Sequence, residues 1–230
     1  MLSRLLFAIG ESDCEEIHDG ILTQPINAVT SLAFSVVGIV IIGAATRVEG
    51  HERAVRIVFG SLLVATGLGS FLFHGPQPAA SQFLHDITFL ATLWLLAFMN
   101  LSDTSGWWRS LSWAGFAVGT AAVAVMLLAF PGSTNFLAGA LLIVLVGSDV
   151  LIHVKSGVVG WWYTTSIVAV AIAVGLFILG RSGSPLCDPD ALWQGHGGWH
   201  ILAAAALGAY FMATSRARIE GRRSGLVETG

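Results

Sequence analysis

Gly195-His196-Gly197-Gly198-Trp199-His200-Ile201-Leu202-Ala203-Ala204-Ala205-Ala206-Leu207 opens the last long apolar run of the chain. If that run is a helix, His196 and His200 lie just over one turn apart on one face and can grip one metal ion. A polar side chain facing hydrocarbon is costly, so imidazoles that persist in a membrane helix usually line a site. Whether the run crosses a membrane therefore decides how the pair is read.

Composition favours the membrane. Of the 230 residues 55% are hydrophobic and 11% charged, and the mean hydropathy is +0.77, far more apolar than a soluble domain of this length. Windows of about 20 apolar residues cover roughly 30 Å of hydrocarbon at 1.5 Å per residue. They fall at 26–46, 54–74, 81–101, 111–130, 135–154, 161–180 and 195–214. Short connections imply that neighbouring spans pack antiparallel in one bundle. The expected fold is an all-α membrane protein, a seven-transmembrane helix bundle over 26–214 with an acidic segment 1–25 before it and a basic tail 215–230 after it. Residues 1–10 hold one arginine and a short apolar patch, too little for a cleavable signal peptide, so the first span is expected to carry the targeting information.

Orientation follows from Lys and Arg in the connections. Arg47, Arg53, Arg56, Arg109, Lys155, Arg216, Arg218, Arg222 and Arg223 fall on one side, against Arg4 and Arg181 on the other. This bias places the N-terminus outside and the C-terminus in the cytoplasm. Two cysteines rule out a disulfide-dense scaffold and a cysteine-rich zinc module. Cys14 and Cys187 both fall on the non-cytoplasmic side, where oxidation is allowed, and a disulfide between them is expected, with two unrelated thiols as the alternative. Around Cys14 stand Glu11, Asp13, Glu15, Glu16 and Asp19, either a solvated acidic lead-in or oxygen ligands for a hard cation such as calcium.

On this topology the polar residues of the spans gather at the outer level. His74 closes span two, Ser70 lies one turn earlier on the same face, Asp86 opens span three, and His196 and His200 open span seven. Three histidines from two helices suit zinc and leave a fourth position for water, whose pKa the ion lowers. Asp86 is then expected to take and return a proton, and Ser70 to donate to a developing oxyanion, unless it bonds back to its own helix. His85 is expected to point about 100° away from Asp86 and to be structural. Asp149 and His153 form another i, i+4 pair, placed near the cytoplasmic end and read either as a helix-internal pair or as an interfacial contact with Lys155. Trp107, Trp108, Trp113, Trp161 and Trp162 fall at span ends as an aromatic belt.

Cys14-Glu15, Gln24-Pro25-Ile26-Asn27 with Ser31 and Phe34, Gly67-Leu68-Gly69-Ser70-Phe71-Leu72-Phe73-His74, Asp86, Cys187, His196-Gly197-Gly198-Trp199-His200 and Gly208-Ala209-Tyr210 together resemble the alkaline ceramidase family. That family belongs to a wider superfamily of seven-span proteins that includes the progestin and adipoQ receptors. The resemblance runs from about residue 12 to 212. It implies a zinc-dependent amidase that hydrolyses the N-acyl bond of ceramide, or a related N-acyl membrane lipid, to a sphingoid base or other amine and a fatty acid. By the same resemblance His74, His196 and His200 hold zinc, Ser70 and Asp86 surround the zinc water, and Cys14 pairs with Cys187. Asp13, Glu15 and Glu16 are the candidates for a calcium site. Two positions depart from that site as the family has it: Asp13 stands in place of a tryptophan and Gln24 in place of a glutamate. The interval from His74 to Asp86 is one residue longer than in the family, to be absorbed by Gly75-Pro76-Gln77-Pro78. The short loops and tail have a bacterial look, which places the chain in an inner membrane with its site near the periplasmic face. The alternative is a receptor-like or regulatory membrane protein with a structural zinc, for which the resembling receptors imply the opposite insertion.

Overall fold

Pro25 stands at the first helical position of α1 (Pro25–Ala44), where its missing N–H costs nothing. A single 3-10 turn, Ala45–Arg47, leads into α2 (Gly50–His74). The chain continues through α3 (Ser81–Ser105), α4 (Ser112–Ala129), α5 (Thr134–Ser156), α6 (Trp161–Leu179) and α7 (Gly195–Val227). The computed structural model describes residues 12–105, 112–156 and 160–227, and among them there is no strand. Arg4, Glu11, Trp107, Trp108 and Arg109 lie outside the described residues, as do the side chains of His153, Lys155, Arg216, Arg218, Arg222 and Arg223.

All seven apolar windows are helices, and five are long and apolar enough to cross a bilayer: Pro25–Arg47, Gly50–His74, Ser81–Ser102, Thr134–Leu151 and Trp161–Leu179. Large apolar side chains such as Val40, Leu128, Ile143, Ile172 and Ile178 stay exposed on the helix surfaces, as a lipid environment permits. Two boundaries differ from the windows. Helix α2 begins at Gly50 and not at 54, because Glu52 pairs with Arg56 one turn later at 3.3 Å, both side chains buried. Helix α7 continues beyond 214 to Val227, since an Arg- and Ala-containing stretch propagates a helix as readily as an apolar one.

Helices α1, α2, α3 and α7 make the centre, with Phe34, Phe59, Leu63, Leu96, Ala203 and Phe211 among its buried side chains. Phe59 and Phe211 stack with ring centroids 4.5 Å apart. α1 and α2 approach through glycines: a Cβ on Gly67 would sit 2.7 Å from the backbone nitrogen of Ser35, and one on Gly60 2.7 Å from the carbonyl of Gly38. α6 packs on α7, and α4 and α5 pack on α3, whereas among the described residues α5 and α6 do not pack closely on each other. The core thus sits to one side, and a seam runs between α5 and α6.

Candidate metal centre

Gly75, Pro76 and Pro78 follow His74, so α2 cannot continue past it. Its terminal carbonyls are taken up by the segment before α1. Gln24 N–H donates to the His74 carbonyl at 2.8 Å, and the Thr23 hydroxyl lies 2.8 Å from that oxygen and 2.9 Å from the Gly75 carbonyl. This stitching brings the Gln24 side chain to His74. Capping of α1 itself falls to Glu15, whose two carboxylate oxygens accept from Ile26 N–H at 2.6 Å and Asn27 N–H at 2.8 Å. A carboxylate there suits the positive end of the helix dipole. Burial pushes the Glu15 carboxyl above its ordinary 4.5, against the pull of those backbone donors.

The three histidines meet at one point. Ring centroids are 5.0 Å apart for His74 and His196, 5.2 Å for His74 and His200, and 4.6 Å for His196 and His200. One ligand nitrogen from each lies within 4.8 Å of the others, and all three residues are buried. His74 Nδ1 donates to Gln24 Oε1 at 2.8 Å, which leaves Nε2 without a hydrogen-bond partner and with its lone pair outward. His200 Nδ1 lies 3.2 Å from Thr30 Oγ1 and 3.4 Å from Ser31 Oγ. Asp13 Oδ1 stands 3.4 Å from His196 Nδ1, near enough to attract it, yet neither nitrogen of His196 completes a hydrogen bond.

Buried imidazole nitrogens without partners are expensive unless something fills the gap between them. Three neutral nitrogen donors at this spacing fit a metal ion of the zinc class. Partners such as Gln24 and Asp13 are the kind that orient ligating histidines. The buried group of His74, His196 and His200 can therefore bind a metal ion, with Gln24 setting the tautomer of His74.

Ser70 is where the sequence placed it. Its Oγ lies 2.7 Å from Ser31 Oγ and 3.4 Å from His200 Nε2. Asp86 is buried on the same side, but its oxygens are occupied: one by His85 Nδ1 at 2.8 Å, the other by the Thr134 hydroxyl at 2.6 Å. His85 does not point away, as its position on the helix wheel suggested. Its ring is 6.2 Å from that of His74 and stacks on Phe73 at 4.9 Å. Gly69 makes this possible, since any Cβ there would lie 3.0 Å from the Leu84 backbone and 3.1 Å from His85 N.

A cavity of about 350 Å³ begins at Ser70, His85, His196 and His200 and runs between α3, α5, α6 and α7. His85 and Thr134 line it, with Asp86 bonded to both. Sequence reasoning missed His85, Gln24 and Thr30 as parts of the site. Adjacent His and Asp at the outer end of a span were the available signal for the first.

Cys14 and Cys187 are bonded, with Cα atoms 5.4 Å apart, which ties the N-terminal segment to the loop before α7. Of the three acids expected for calcium, Asp13 faces His196, Glu15 caps α1, and Glu16 is exposed. No protein-family model matches the chain, and no curated protein matches it.

Proposed function

We propose that this chain is a seven-span membrane amidase similar to the alkaline ceramidases, acting on the N-acyl bond of ceramide or a related N-acyl lipid. One observation carries the reading: two of the three grouped histidines, His196 and His200, line the head of a largely apolar cavity that borders the seam between α5 and α6. A lipid can enter through such a seam without leaving the bilayer, with its amide beside the histidines and a chain among Phe89, Leu93, Leu142 and Val170.

Zinc on His74, His196 and His200 would supply Lewis acidity towards the amide carbonyl and make water a better nucleophile near neutral pH. The protein side of the reaction is hydrolysis of one bond. Water adds to the carbonyl carbon and passes a proton to His85, which Asp86 holds in orientation as a carboxylate orients a catalytic histidine. Ser70 donates to the carbonyl oxygen as negative charge grows there. The proton is returned to nitrogen as the carbon–nitrogen bond breaks, leaving an amine and a fatty acid.

The disulfide lies at the histidine end of the bundle, and disulfides persist where the surroundings are oxidising. With the charge bias of the connections, this supports an inner-membrane protein with the site towards the periplasm and the C-terminus in the cytoplasm. The test is to incubate the purified protein with ceramides and other N-acyl lipids, with and without chelator, and follow fatty-acid release by mass spectrometry. Chelator-sensitive release that His200→Ala abolishes along with bound metal is expected. No release from any N-acyl lipid by fully metallated protein would refute the amidase.

A further inference from the structure

The far end of the cavity is polar. Asp149 on α5, only 4% exposed, accepts hydrogen bonds from the hydroxyls of Tyr163 on α6 and Tyr210 on α7, the latter at 2.9 Å. Asn100 on α3 donates to the Tyr210 hydroxyl and, at 3.3 Å, to Ser148 Oγ. Four helices join in this cluster, and Asp149, Tyr163 and Tyr210 all face the cavity. Between the cluster and the histidines the wall is largely apolar, with Leu96, Leu145, Val170, Ala203 and Leu207 on it, and the hydroxyls of Thr66 and Ser166 there are turned to backbone carbonyls. The hydrolytic reading leaves the cluster without a task.

Its place in the fold gives it one. His200 and Tyr210 are ten residues apart on α7, a distance of about 15 Å at 1.5 Å per residue. A saturated chain, with carbon–carbon bonds of about 1.5 Å at tetrahedral angles, advances about 1.25 Å per carbon, so about twelve carbons cover the gap.

We propose that Asp149, Tyr163 and Tyr210 form the floor of a lipid-chain pocket and limit the chain it accepts to about twelve carbons. A methyl end that reached farther would part the tyrosines from a buried carboxylate, and hydrocarbon offers that carboxylate nothing in exchange. The limit rests on the reading of the cavity as a lipid-chain site, but not on any step of hydrolysis.

The test is binding, not turnover. Purified protein in nanodiscs is titrated with saturated fatty acids of about eight to about eighteen carbons. Affinity is expected to rise about fourfold per methylene, then level off near twelve carbons. Asp149→Leu should lift the limit, raising the affinity for about sixteen carbons relative to about twelve by at least about tenfold. Should that variant fail to fold, Ala206→Leu serves. It narrows the cavity about 9 Å along α7 from His200 and should lower the limit to about seven carbons, without touching the cluster. Affinity that climbs to about eighteen carbons in the unaltered protein would overturn the floor while leaving the lipid site standing, as would a limit that neither variant moves. No binding at any length would overturn the lipid site and the floor together.

Discussion

Replacing Gln24 by Leu isolates the one side chain that decides which nitrogen His74 presents. Gln24 is fully buried, its Oε1 accepts from His74 Nδ1 at 2.8 Å, and its Nε2 donates to the Glu15 carbonyl at 2.9 Å. Leucine fills a similar space and can do neither. Water cannot reach the freed Nδ1–H, so folding should lose about 1–3 kcal/mol for the stranded donor. Metal affinity should fall separately, because His74 is no longer held in the tautomer with Nε2 open. Loss of such an orienting partner costs about 10- to 100-fold in affinity, or about 1.4–2.7 kcal/mol. Competition for zinc against a chromophoric chelator, on protein purified in detergent, reads the affinity; thermal unfolding of the same samples reads the stability. Gln24→Glu keeps an acceptor at the same place and should bind zinc at least as tightly as the unaltered chain. If Gln24→Leu folds and titrates with zinc like the unaltered protein, orientation of His74 by Gln24 is wrong.

Three other outcomes are expected. His85→Ala should keep its metal and lose about 100-fold or more in turnover, with Asp86→Asn falling similarly and the double variant little worse than either alone; full activity in His85→Ala would mean that Asp86 works without it. Replacing Cys14 and Cys187 by serine opens a link across 173 residues and should cost about 2–5 kcal/mol in unfolding, together with weaker zinc binding as Asp13 loses its tether. An unfolding temperature unchanged by reductant would contradict this. Glu15 has a folded pKa raised above 4.5, so its contribution is fully present below about 4.5 and is lost as pH rises through the folded value. Unfolding of Glu15→Gln, compared with the unaltered protein at successive pH values, should lack that decline; parallel curves would rule it out.

The helices were legible because a membrane-sized apolar run is a strong signal that needs no tertiary information, and all seven windows became helices. The three histidines that meet were legible for a related reason: His196 and His200 share a face by helical spacing alone, and His74 ends a span at the same level. The settings of those imidazoles were not. Gln24 reaches His74 because the backbone of Thr23 and Gln24 closes the end of α2, 50 residues on. Periodicity within a segment carries no trace of such a contact. The misplacement of His85 has a similar origin. Its helical angle was read correctly relative to Asp86, but how α3 is turned against α2 depends on the close approach at Gly69. Spacing pairs Asp149 with His153, whose side chain lies outside the described residues, and carries no sign of Tyr163 and Tyr210, which reach Asp149 from two other helices.

Asp13, Glu15, Thr23 and Gln24 all precede the first long helix, and between them they hold the His74 imidazole, set a carboxylate beside His196 and close the ends of two helices. For anyone handling the protein, the leading end is therefore a working part. Affinity tags, reporter fusions and truncations belong at the opposite terminus, and a preparation altered at the front should be assayed for bound metal before its inactivity is blamed on the wrong lipid.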